Sequence, residues 1–464
     1  MEKKNGMDYE VLLTALDKAE NGPIVDEKVW DAEIIGKNFQ ETLKKYDIKL
    51  EKDDPYVTAD DDLADRLWEA GMELAVKTGV YCIDTKRHMQ WTKGDLETIL
   101  ATMPDQITVG EGEDTATIIH RRPEEDSHVV IYGGPFGIPI TEELFIPFHE
   151  AYAREPLIEI FNMGTLLSTR GRMIRAGSPW ESIAAWQEKE LAFEILDRVG
   201  RPGLAMGCVE IATTEVGELA GTTYGGYRPT DCHKINFISE QKTAYHHLIE
   251  AAHYAHIDAF SESYFNPMYG GYVGGGAGVA LACVSGSIVM RAAYQGTLNN
   301  IGPTHVHLSA STHPEVLRAL QLGLQALSRN GNFLTSPFTR PTSGPGTKEI
   351  FYETGALAVA STVAGCSYID ASQSARGTAT GHASPLEVLF VARLAHAVEG
   401  MSRTDAAPIV AWMVDRYKDA QSEPLLGKPF QELHDMDTLD PLPEWQKLFE
   451  EVCQEMESEF GLKL

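Results

Sequence analysis

The chain is short of basic side chains. Its 464 residues include 39 lysine and arginine residues against 68 aspartate and glutamate residues, which gives a formal net charge of −29. A surface of this sign repels phosphate backbones and anionic lipid headgroups. The composition therefore argues against nucleic acid and membranes as partners, and it favours a cytoplasmic protein that works with small molecules or other proteins.

Cysteine is sparse, and its spacing fits no motif. The six cysteines contain no Cys-x-x-Cys pair. Scattered single cysteines indicate neither a disulfide framework nor a structural zinc site, and they suit a reducing compartment. The N-terminal segment is charged and lacks an apolar stretch, so we expect no signal peptide.

Long hydrophobic runs without interruption are also lacking. The most apolar stretch, residues 273–290, contains several glycines and is followed directly by Arg291. We expect a barrel helix there rather than a membrane span. The chain is 43% hydrophobic, which is enough to bury a sizeable core.

From residue 128 onwards, short apolar runs alternate with helical patterns. Each predicted strand precedes a predicted helix, and the strands lie at 129–134, 157–162, 204–207, 258–261, 304–308, 333–336 and 367–370. Two of the helices begin with Ser-Pro-x-Glu capping patterns, at Ser178 and Ser384. These units have roughly the length of a (β/α)8 barrel. The position of the eighth strand stays open.

We therefore predict an α/β fold, a (β/α)8 TIM barrel over residues 126–403. Residues 1–125 are predicted to form a helical N-terminal extension that packs on the barrel. Residues 404–464 are predicted to form C-terminal helices, which cover the barrel or make an oligomer contact. An open doubly wound sheet is the alternative, although no Gly-x-Gly-x-x-Gly motif follows the first predicted strand.

Polar side chains follow the predicted strands, at the end where a barrel collects functional groups. The residues expected at this end include Asn162, Glu262, Asp370 and the segment 133–137, which contains Phe136. Gly207, Cys208 and Glu210 follow one strand, although Cys208 would also suit the core and Glu210 a solvated loop. His305 and His307 lie two apart on another, so their side chains would share a face. With Cys208 or Glu210 they could form a zinc site, or they could serve only in hydrogen bonding.

The segment 270–278 is rich in glycine and lies between a predicted strand and a predicted helix. Such a turn could cradle a phosphate, or its bare backbone could let a large flat ligand approach closely. A flexible loop without a ligand is the third interpretation.

Several motifs together resemble the monomethylamine methyltransferase family of methylotrophic methanogens, from about residue 60 to the C-terminus. They include Gly133-Gly-Pro-x-Gly-x-Pro-Ile140, Gly200-Arg-Pro-Gly203, Thr230-Asp-x-His233, Gly270-Gly-Tyr-x-Gly-Gly275 and Gly302-Pro-x-His305. The resemblance implies a (β/α)8 barrel that passes a methyl group to the Co(I) corrinoid of a small partner protein. It also implies that the glycine-rich segment meets the corrinoid, through Gly271, Tyr272, Gly274 and Gly275.

The chain departs from the family pattern at the reactive residue. Family members carry pyrrolysine shortly after the Gly-Arg-Pro-Gly motif, and Gly207 or Cys208 stands at that place here. The acidic residue, the glutamine and the tyrosine that surround pyrrolysine in the family fall at Tyr264, Phe338 and Arg340. Replacement of the whole pocket indicates a changed substrate rather than decay.

We therefore predict a corrinoid methyltransferase that works without pyrrolysine on a substrate with its own leaving group, such as a quaternary amine, a betaine or an N-methyl amino acid. Tyr264 and Phe338 would contact the cation and Arg340 a carboxylate, unless these residues only pack or form a loop ion pair. The predicted partners are the substrate and a cognate corrinoid protein, and we expect a homo-oligomer. The predicted catalytic residues are Glu210, Cys208 and His305, and His307 and Gly207 are predicted to line the substrate site.

Two other hypotheses stay open. In the first, His305, His307 and Cys208 hold zinc, which acts as a Lewis acid on a methylated oxygen or sulfur. In the second, the barrel has lost catalysis and serves as a binding subunit. Zinc is not the cofactor that the sequence favours.

Overall fold

A closed barrel of eight parallel strands forms the centre of the computed structural model, which describes residues 6–210 and 213–464. The strands are β1 (Val130–Gly133), β2 (Ile160–Phe161), β3 (Ala205–Cys208), β4 (Cys232–Phe237), β5 (Phe260–Phe265), β6 (Leu298–Ile301), β7 (Leu334–Pro337) and β8 (Tyr368–Ala371). The sheet closes between β7 and β8, where the Thr339 N–H donates to the Asp370 carbonyl at 3.1 Å.

One helix follows each strand. These helices are α1 (Glu142–Ala153), α2 (Pro179–Arg198), α3 (Glu215–Gly221), α4 (Tyr245–His256), α5 (Gly276–Tyr294), α6 (Pro314–Asn330), α7 (Glu349–Val363) and α8 (Pro385–Ala397). The predicted (β/α)8 barrel is thus confirmed. Ser384 caps α8 in a complete capping box, as its Ser-Pro-x-Glu pattern predicts.

Two barrel strands, β4 and β6, escape the sequence prediction, and one predicted strand is wrong. β6 reads Leu-Asn-Asn-Ile, so polar residues lie on both of its faces and the apolar signal is weak. Of the predicted strand 304–308, only Thr304–His305 is extended, and it pairs with Met268–Tyr269 outside the barrel sheet. The chain then turns, and the Ser309 N–H donates to the His305 carbonyl at 2.8 Å.

An apolar layer fills the N-terminal end of the barrel, and a hairpin covers it. The hairpin consists of Gln106–Val109 and Ala116–Ile119, and its apolar side chains join the inward-facing first residues of the strands in one cluster. Its turn is fixed by main-chain bonds, since the Gly110 N–H donates to the Thr230 carbonyl at 2.9 Å. This end of the barrel is therefore closed.

The remaining elements surround the barrel. Asp61–Thr78 packs on α5 and α6, Arg403–Tyr417 on α7, and Pro443–Phe460 on α8. The division of the chain at 125 and 403 stays a prediction. The other elements are the helices Tyr9–Asn21, Glu27–Val29, Asn38–Lys45 and Lys93–Leu100, the π-helix Trp30–Lys37, the 3-10 turns Gly112–Asp114, Ser374–Gly377 and Phe430–Glu432, and the short strands Val80–Cys82, Arg87–Met89, Pro139–Ile140, Thr165–Leu166, Ser168–Thr169, Arg172–Met173 and Lys242–Thr243.

The apolar stretch 273–290 lies mainly in α5. By length and composition this helix could cross a membrane, but 94% of its most apolar window is buried inside the protein. A Cβ at Gly286 would lie 2.1 Å from the Phe265 ring, so glycine lets α5 approach β5 closely. The prediction of a barrel helix is confirmed.

Candidate active site in the barrel interior

Above the apolar layer, the inward-facing residues of the barrel become charged and polar. Side chains alternate between the two faces of a strand, so the residue two positions beyond an inward one also points inward. By this count the interior receives Asn162, Lys234, Glu262, Asn300 and Asp370. Four of them are buried, and the Lys234 side chain is only 11% exposed.

The Lys234 ammonium group lies at the centre of this layer. It donates to Glu210 Oε1 at 3.1 Å and to Asn162 Oδ1 at 3.3 Å. Its nitrogen also lies 3.9 Å from Asp370 Oδ2 and 4.0 Å from Glu262 Oε2. Three carboxyl groups therefore surround one cation, and the site has an excess of negative charge when all of them are ionised.

Amide and phenol groups fix the carboxylates in place. Asn300 Nδ2 donates to Asp370 Oδ2 at 2.8 Å and to Glu262 Oε1 at 3.2 Å. The Tyr368 hydroxyl donates to Glu262 Oε1 at 2.7 Å. Glu262 Oε2 has no hydrogen-bond partner within the described residues, so it is an acceptor that a ligand can use.

Burial sets the proton affinity of these carboxyl groups. It raises the pKa of Glu210 and of Glu262 to about 7, although the attraction of Lys234 opposes the shift. Burial raises the pKa of Asp370 as well. Burial alone would lower the pKa of Lys234, but the neighbouring carboxylates outweigh it and raise the pKa. Lys234 therefore stays charged, whereas Glu210 and Glu262 exchange protons near neutral pH.

Three aromatic rings lie at the mouth of the barrel. The Phe338 ring packs edge-on against Phe136 at 4.9 Å and against Tyr264 at 5.1 Å. The Lys234 ammonium lies 3.4 Å from the centre of the Phe136 ring, which connects the rings to the charged layer. A Cβ at Gly302 would lie 2.8 Å from both Phe338 and Tyr264, so only glycine leaves room for them. The structure thus brings Tyr264 and Phe338 together.

Arg340 lies beside these rings with a guanidinium group that is nearly free. Its Cζ is 5.2 Å from the centre of the Phe338 ring, and Nη1 donates to Ser309 Oγ at 3.5 Å. Within the described part of the chain, no carboxylate forms an ion pair with it, and its buried Nε has no partner. The backbone is held instead, because the Arg340 N–H donates to Ser311 Oγ at 2.8 Å.

Gly207 and Cys208 face opposite sides of β3. A Cβ at Gly207 would lie 1.9 Å from the Tyr132 hydroxyl and 2.9 Å from Asn162 Oδ1, so this position points into the interior. The Cys208 sulfur instead lies 3.6 Å from His233 Nδ1 on the helix side. Burial raises the pKa of this thiol well above its ordinary value. The structure therefore does not bring Cys208 to the polar layer that Glu210 joins.

Two buried glutamates of α2 hold the segment that carries Glu210. Glu188 Oε1 accepts the Glu210 N–H at 3.2 Å, and Glu181 Oε1 accepts the N–H groups of Thr213 at 2.8 Å and Thr214 at 2.7 Å. Both glutamate side chains are fully buried. They lie two helical turns apart and so share one face of α2. The helix behind it thus holds the backbone at Glu210.

His305 and His307 lie in the turn that replaces the predicted strand. His305 Nδ1 accepts the N–H of His307 at 3.2 Å, and its ring stacks on Tyr269 at 5.2 Å. The expectation that the two histidines share a strand face is therefore wrong. His305, His307 and Cys208 are not among the described residues whose metal-ligating atoms cluster.

The glycine-rich segment is an exposed loop between β5 and α5. Gly271 and Gly275 are exposed, and a Cβ at Gly275 would meet nothing within 4 Å. Gly274 has a φ of +76°, which other residues rarely adopt. Tyr272 turns inward and packs edge-on against Phe39 at 5.7 Å. Open backbone is thus available here, whereas the Tyr272 ring is occupied by the N-terminal extension.

The sequence prediction missed three residues of the site: Lys234, Asn300 and Tyr368. Lys234 and Asn300 lie on the two strands that the apolar pattern did not reveal. One signal was present, since Cys-His-Lys-Ile-Asn-Phe places cysteine, lysine and asparagine on one face of a strand. A lysine on the inward face of a barrel strand indicates a functional site.

Comparison with known proteins agrees with this architecture. The family model described as monomethylamine methyltransferase MtmB matches residues 11–462. Monomethylamine methyltransferase MtmB2 of Methanosarcina acetivorans is 27% identical over 447 residues, which are 96% of this chain and 97% of the relative. MtmB of Methanosarcina mazei is 25% identical over 441 residues, which are 95% of this chain and 96% of the relative.

A solved structure matches over a similar length. The crystal structure of the Methanosarcina barkeri monomethylamine methyltransferase MtmB has a TM-score of 0.93 and is 25% identical, and the match covers 97% of this chain and 98% of that one. The crystal structure of a hydroxylamine complex of MtmB matches equally well. The resemblance drawn from the motifs is thus confirmed over nearly the whole chain.

Proposed function

Since the chain belongs to the monomethylamine methyltransferase family and is therefore a corrinoid-dependent methyltransferase, we propose that its methyl donor is a betaine or an N-methyl amino acid. The observation that carries this proposal is the Arg340 guanidinium, which is nearly free and whose Cζ lies 5.2 Å from the centre of the Phe338 ring at the barrel mouth. Arg340 can pair with a carboxylate, and the aromatic rings beside it suit a methylated cation.

The cationic end of such a donor finds two kinds of support. The faces of Phe338 and Tyr264 carry negative charge density that attracts a quaternary ammonium group. Below them, Glu210, Glu262 and Asp370 outnumber the single cation Lys234. A donor with one positive charge would reduce this imbalance, which favours cations over neutral methylated compounds.

The carboxylate end would bind Arg340. A guanidinium group offers two parallel N–H donors that match a carboxylate, and this group has no carboxylate partner among the residues described. Glu353 accepts the N–H groups of Thr342 at 2.8 Å and Ser343 at 2.9 Å, so the loop of Arg340 is fixed in advance. Monomethylamine, the donor named for the relatives, has no group for Arg340 to bind.

Such a donor makes pyrrolysine unnecessary. A bound corrinoid protein supplies Co(I) as the nucleophile. A quaternary nitrogen leaves as a neutral amine without help, and the nitrogen of an N-methyl amino acid does so when it is protonated. Glu210, with a pKa of about 7, can hold a proton next to that nitrogen at neutral pH. We keep Glu210 in the catalytic role, whereas the Cys208 thiol and the His305 ring lie in other surroundings.

The exposed loop Gly270–Gly275 fits the approach of a corrinoid, because four of its six residues are glycines and leave the backbone accessible. We assign Gly271, Gly274 and Gly275 to that contact, and we expect a cytoplasmic homo-oligomer. The zinc alternative gains no support from the positions of His305, His307 and Cys208.

The test is a screen of methyl donors. The full chain is mixed with its cognate corrinoid protein, or with Co(I) cobalamin, and loss of the Co(I) absorbance is followed with betaines, N-methyl amino acids, the matching amines and monomethylamine. We expect the fastest methyl transfer from donors that carry a carboxylate. Transfer from monomethylamine alone, or from none of these compounds, would overturn the proposal.

A further inference from the structure

A cluster of metal-ligating side chains lies at the start of the barrel, away from the mouth. One donor atom from each of His128, His396 and Glu399 lies within 4.8 Å of the other two. His128 precedes β1, His396 is in the last turn of α8, and Glu399 follows that helix. The cluster therefore joins the first strand of the barrel to its last helix.

Hydrogen bonds fix the tautomer of both imidazole rings. His128 Nε2 lies 2.9 Å from both carboxylate oxygens of Glu159, which can only accept. The hydrogen of the neutral ring is therefore on Nε2, and Nδ1 keeps its lone pair. That Nδ1 faces Glu399 Oε1 at 3.6 Å. In the same way His396 Nε2 lies 3.2 Å from the Val129 carbonyl, which leaves the lone pair on its Nδ1.

We propose that His128, His396 and Glu399 bind one Zn²⁺ ion. Two imidazole nitrogens and one carboxylate are a common zinc donor set, and a carboxylate or carbonyl behind each ring is the usual outer support. Glu159 and the Val129 carbonyl supply that support here. Glu399 Oε1 also accepts the Val129 N–H at 2.8 Å, so the third ligand is held by the strand itself.

The position of this site indicates a structural role. His128 is exposed and gives an ion access from solvent, while His396 and Glu399 are partly buried. A bound ion would tie residues that are far apart in sequence, and ligands that bind only the folded state raise its stability. We therefore expect Zn²⁺ to raise the thermal unfolding temperature and to leave the methyl-transfer site unaffected.

The competing arrangement is a protonated His128 between two carboxylates. Glu159 raises the pKa of His128, which favours the proton over a metal as pH falls. Calorimetric titration with ZnCl₂ at pH 7.5 decides between them. The protein is made without a polyhistidine tag and dialysed against a chelator, and MgCl₂ serves as the control salt, because imidazole ligands favour zinc.

The expected result is about one Zn²⁺ per chain, with affinity weakened tenfold or more in His396→Ala and in Glu399→Gln. The control His256→Ala removes an exposed histidine of α4 and should bind zinc like the wild type. His305→Ala reports on zinc at the barrel mouth. Unchanged zinc affinity in His396→Ala and Glu399→Gln, both folded by circular dichroism, would overturn the proposal, as would no binding by the wild type.

Discussion

Two sets of buried carboxyl groups lie on opposite faces of neighbouring barrel strands, and only one set surrounds a cation. The inner group, Glu210, Glu262 and Asp370, surrounds Lys234. The outer group consists of Glu188 on α2, Glu218 on α3 and Glu250 on α4. Within the described residues, no lysine or arginine forms an ion pair with the outer group.

The pKa values reflect this difference. Burial raises the pKa of Glu218 to about 8 and that of Glu250 to about 9. Burial of Glu210 and Glu262 is as complete, yet Lys234 limits their pKa to about 7. The outer carboxyl groups are therefore protonated at neutral pH. Glu210 and Glu262 of the inner group change charge there, which is what binding of a cation and proton exchange with a leaving amine require.

The outer group serves geometry instead. The Tyr254 hydroxyl donates to Glu218 Oε2 at 2.6 Å, and the Tyr227 hydroxyl donates to Glu188 Oε1 at 2.9 Å. Glu188 also accepts the Glu210 N–H, so the neutral group behind β3 holds the backbone from which the Glu210 side chain reaches Lys234. Strand β3 thus lies between the carboxyl groups assigned to the reaction and those that hold the structure around them.

The largest effect is expected when Lys234 is removed, because the inner group then lacks a cation as the outer group does. Lys234→Met leaves three buried carboxyl groups without a cation, so their pKa values should rise towards those of the outer group. We expect a loss of about 3–5 kcal/mol in the free energy of unfolding and at least a hundredfold loss in kcat/KM. Thermal unfolding and the methyl-transfer assay measure the two effects.

Lys242→Met is the matched control. Lys242 pairs with Glu27 and Asp31 at 2.8 Å each and its side chain is 9% exposed, but both partners belong to the N-terminal extension rather than to the inner group. This variant should lose stability and keep its turnover. Turnover of Lys234→Met close to that of the wild type would contradict the role given to the inner group.

The next largest effect concerns Arg340, which lies above the inner group. If it binds the donor's carboxylate, Arg340→Ala should cost about 2–4 kcal/mol in kcat/KM for a betaine. The loss should be much smaller for the matching amine without a carboxylate. Arg340→Lys should restore only part of the loss, since a point charge cannot replace the planar fork. Equal losses for both donors would assign Arg340 to structure or to the corrinoid contact.

The difference between the two faces also explains what the sequence could predict. Helices α5 and α8 follow from apolar content and a capping box, and most strands follow from apolar runs. These signals come from the outer, apolar face of the barrel. β4 and β6 carry Lys234 and Asn300 on the inner face, and the polar residues that build the site weaken the pattern that would reveal the strands.

A second physical reason limits the prediction of the site from sequence. Cys208 and Glu210 are two residues apart, which would place them on one face of a strand, but β3 ends at Cys208. The thiol lies beside His233, whereas Glu210, beyond the strand, reaches Lys234. Tyr264, Phe338 and Arg340 were predicted from a resemblance that spans the whole pocket, and they lie together. Residues that are close in sequence near a strand end thus predict a site less reliably than residues matched across several strands.

A smaller effect should appear in the pH dependence of substrate binding. Glu210 and Glu262 lose their charge as pH falls through about 7, so the inner group should attract a quaternary donor less strongly at lower pH. We expect KM for such a donor to rise by up to about tenfold per pH unit below 7 for each group that must be ionised. The donor itself does not titrate. A KM that stays constant from pH 5.5 to 8.5 would contradict this account, and Glu262→Gln should flatten the profile.

The smallest effect is expected on the outer face, with Glu188→Gln. Burial raises the pKa of Glu188 well above its ordinary value, so glutamine replaces a neutral group of the same shape. Its oxygen can still accept the Glu210 N–H and the Tyr227 hydroxyl, and activity should change by less than about threefold. Glu188→Ala removes the acceptor of both hydrogen bonds and should cost about 1–3 kcal/mol in stability.

The raised pKa of Glu188 also sets the direction in which stability changes with pH. A carboxyl group whose folded pKa is raised binds more protons in the folded state, so it lowers stability as pH rises above the ordinary carboxyl range. Glu188→Gln should therefore reduce the loss of stability as pH rises above the ordinary carboxyl range, while it leaves the pH profile of KM unchanged. Glu210→Gln, on the inner face, should alter that profile. If Glu188→Gln shifted the KM profile as Glu210→Gln does, the two faces of β3 would not divide chemistry from support.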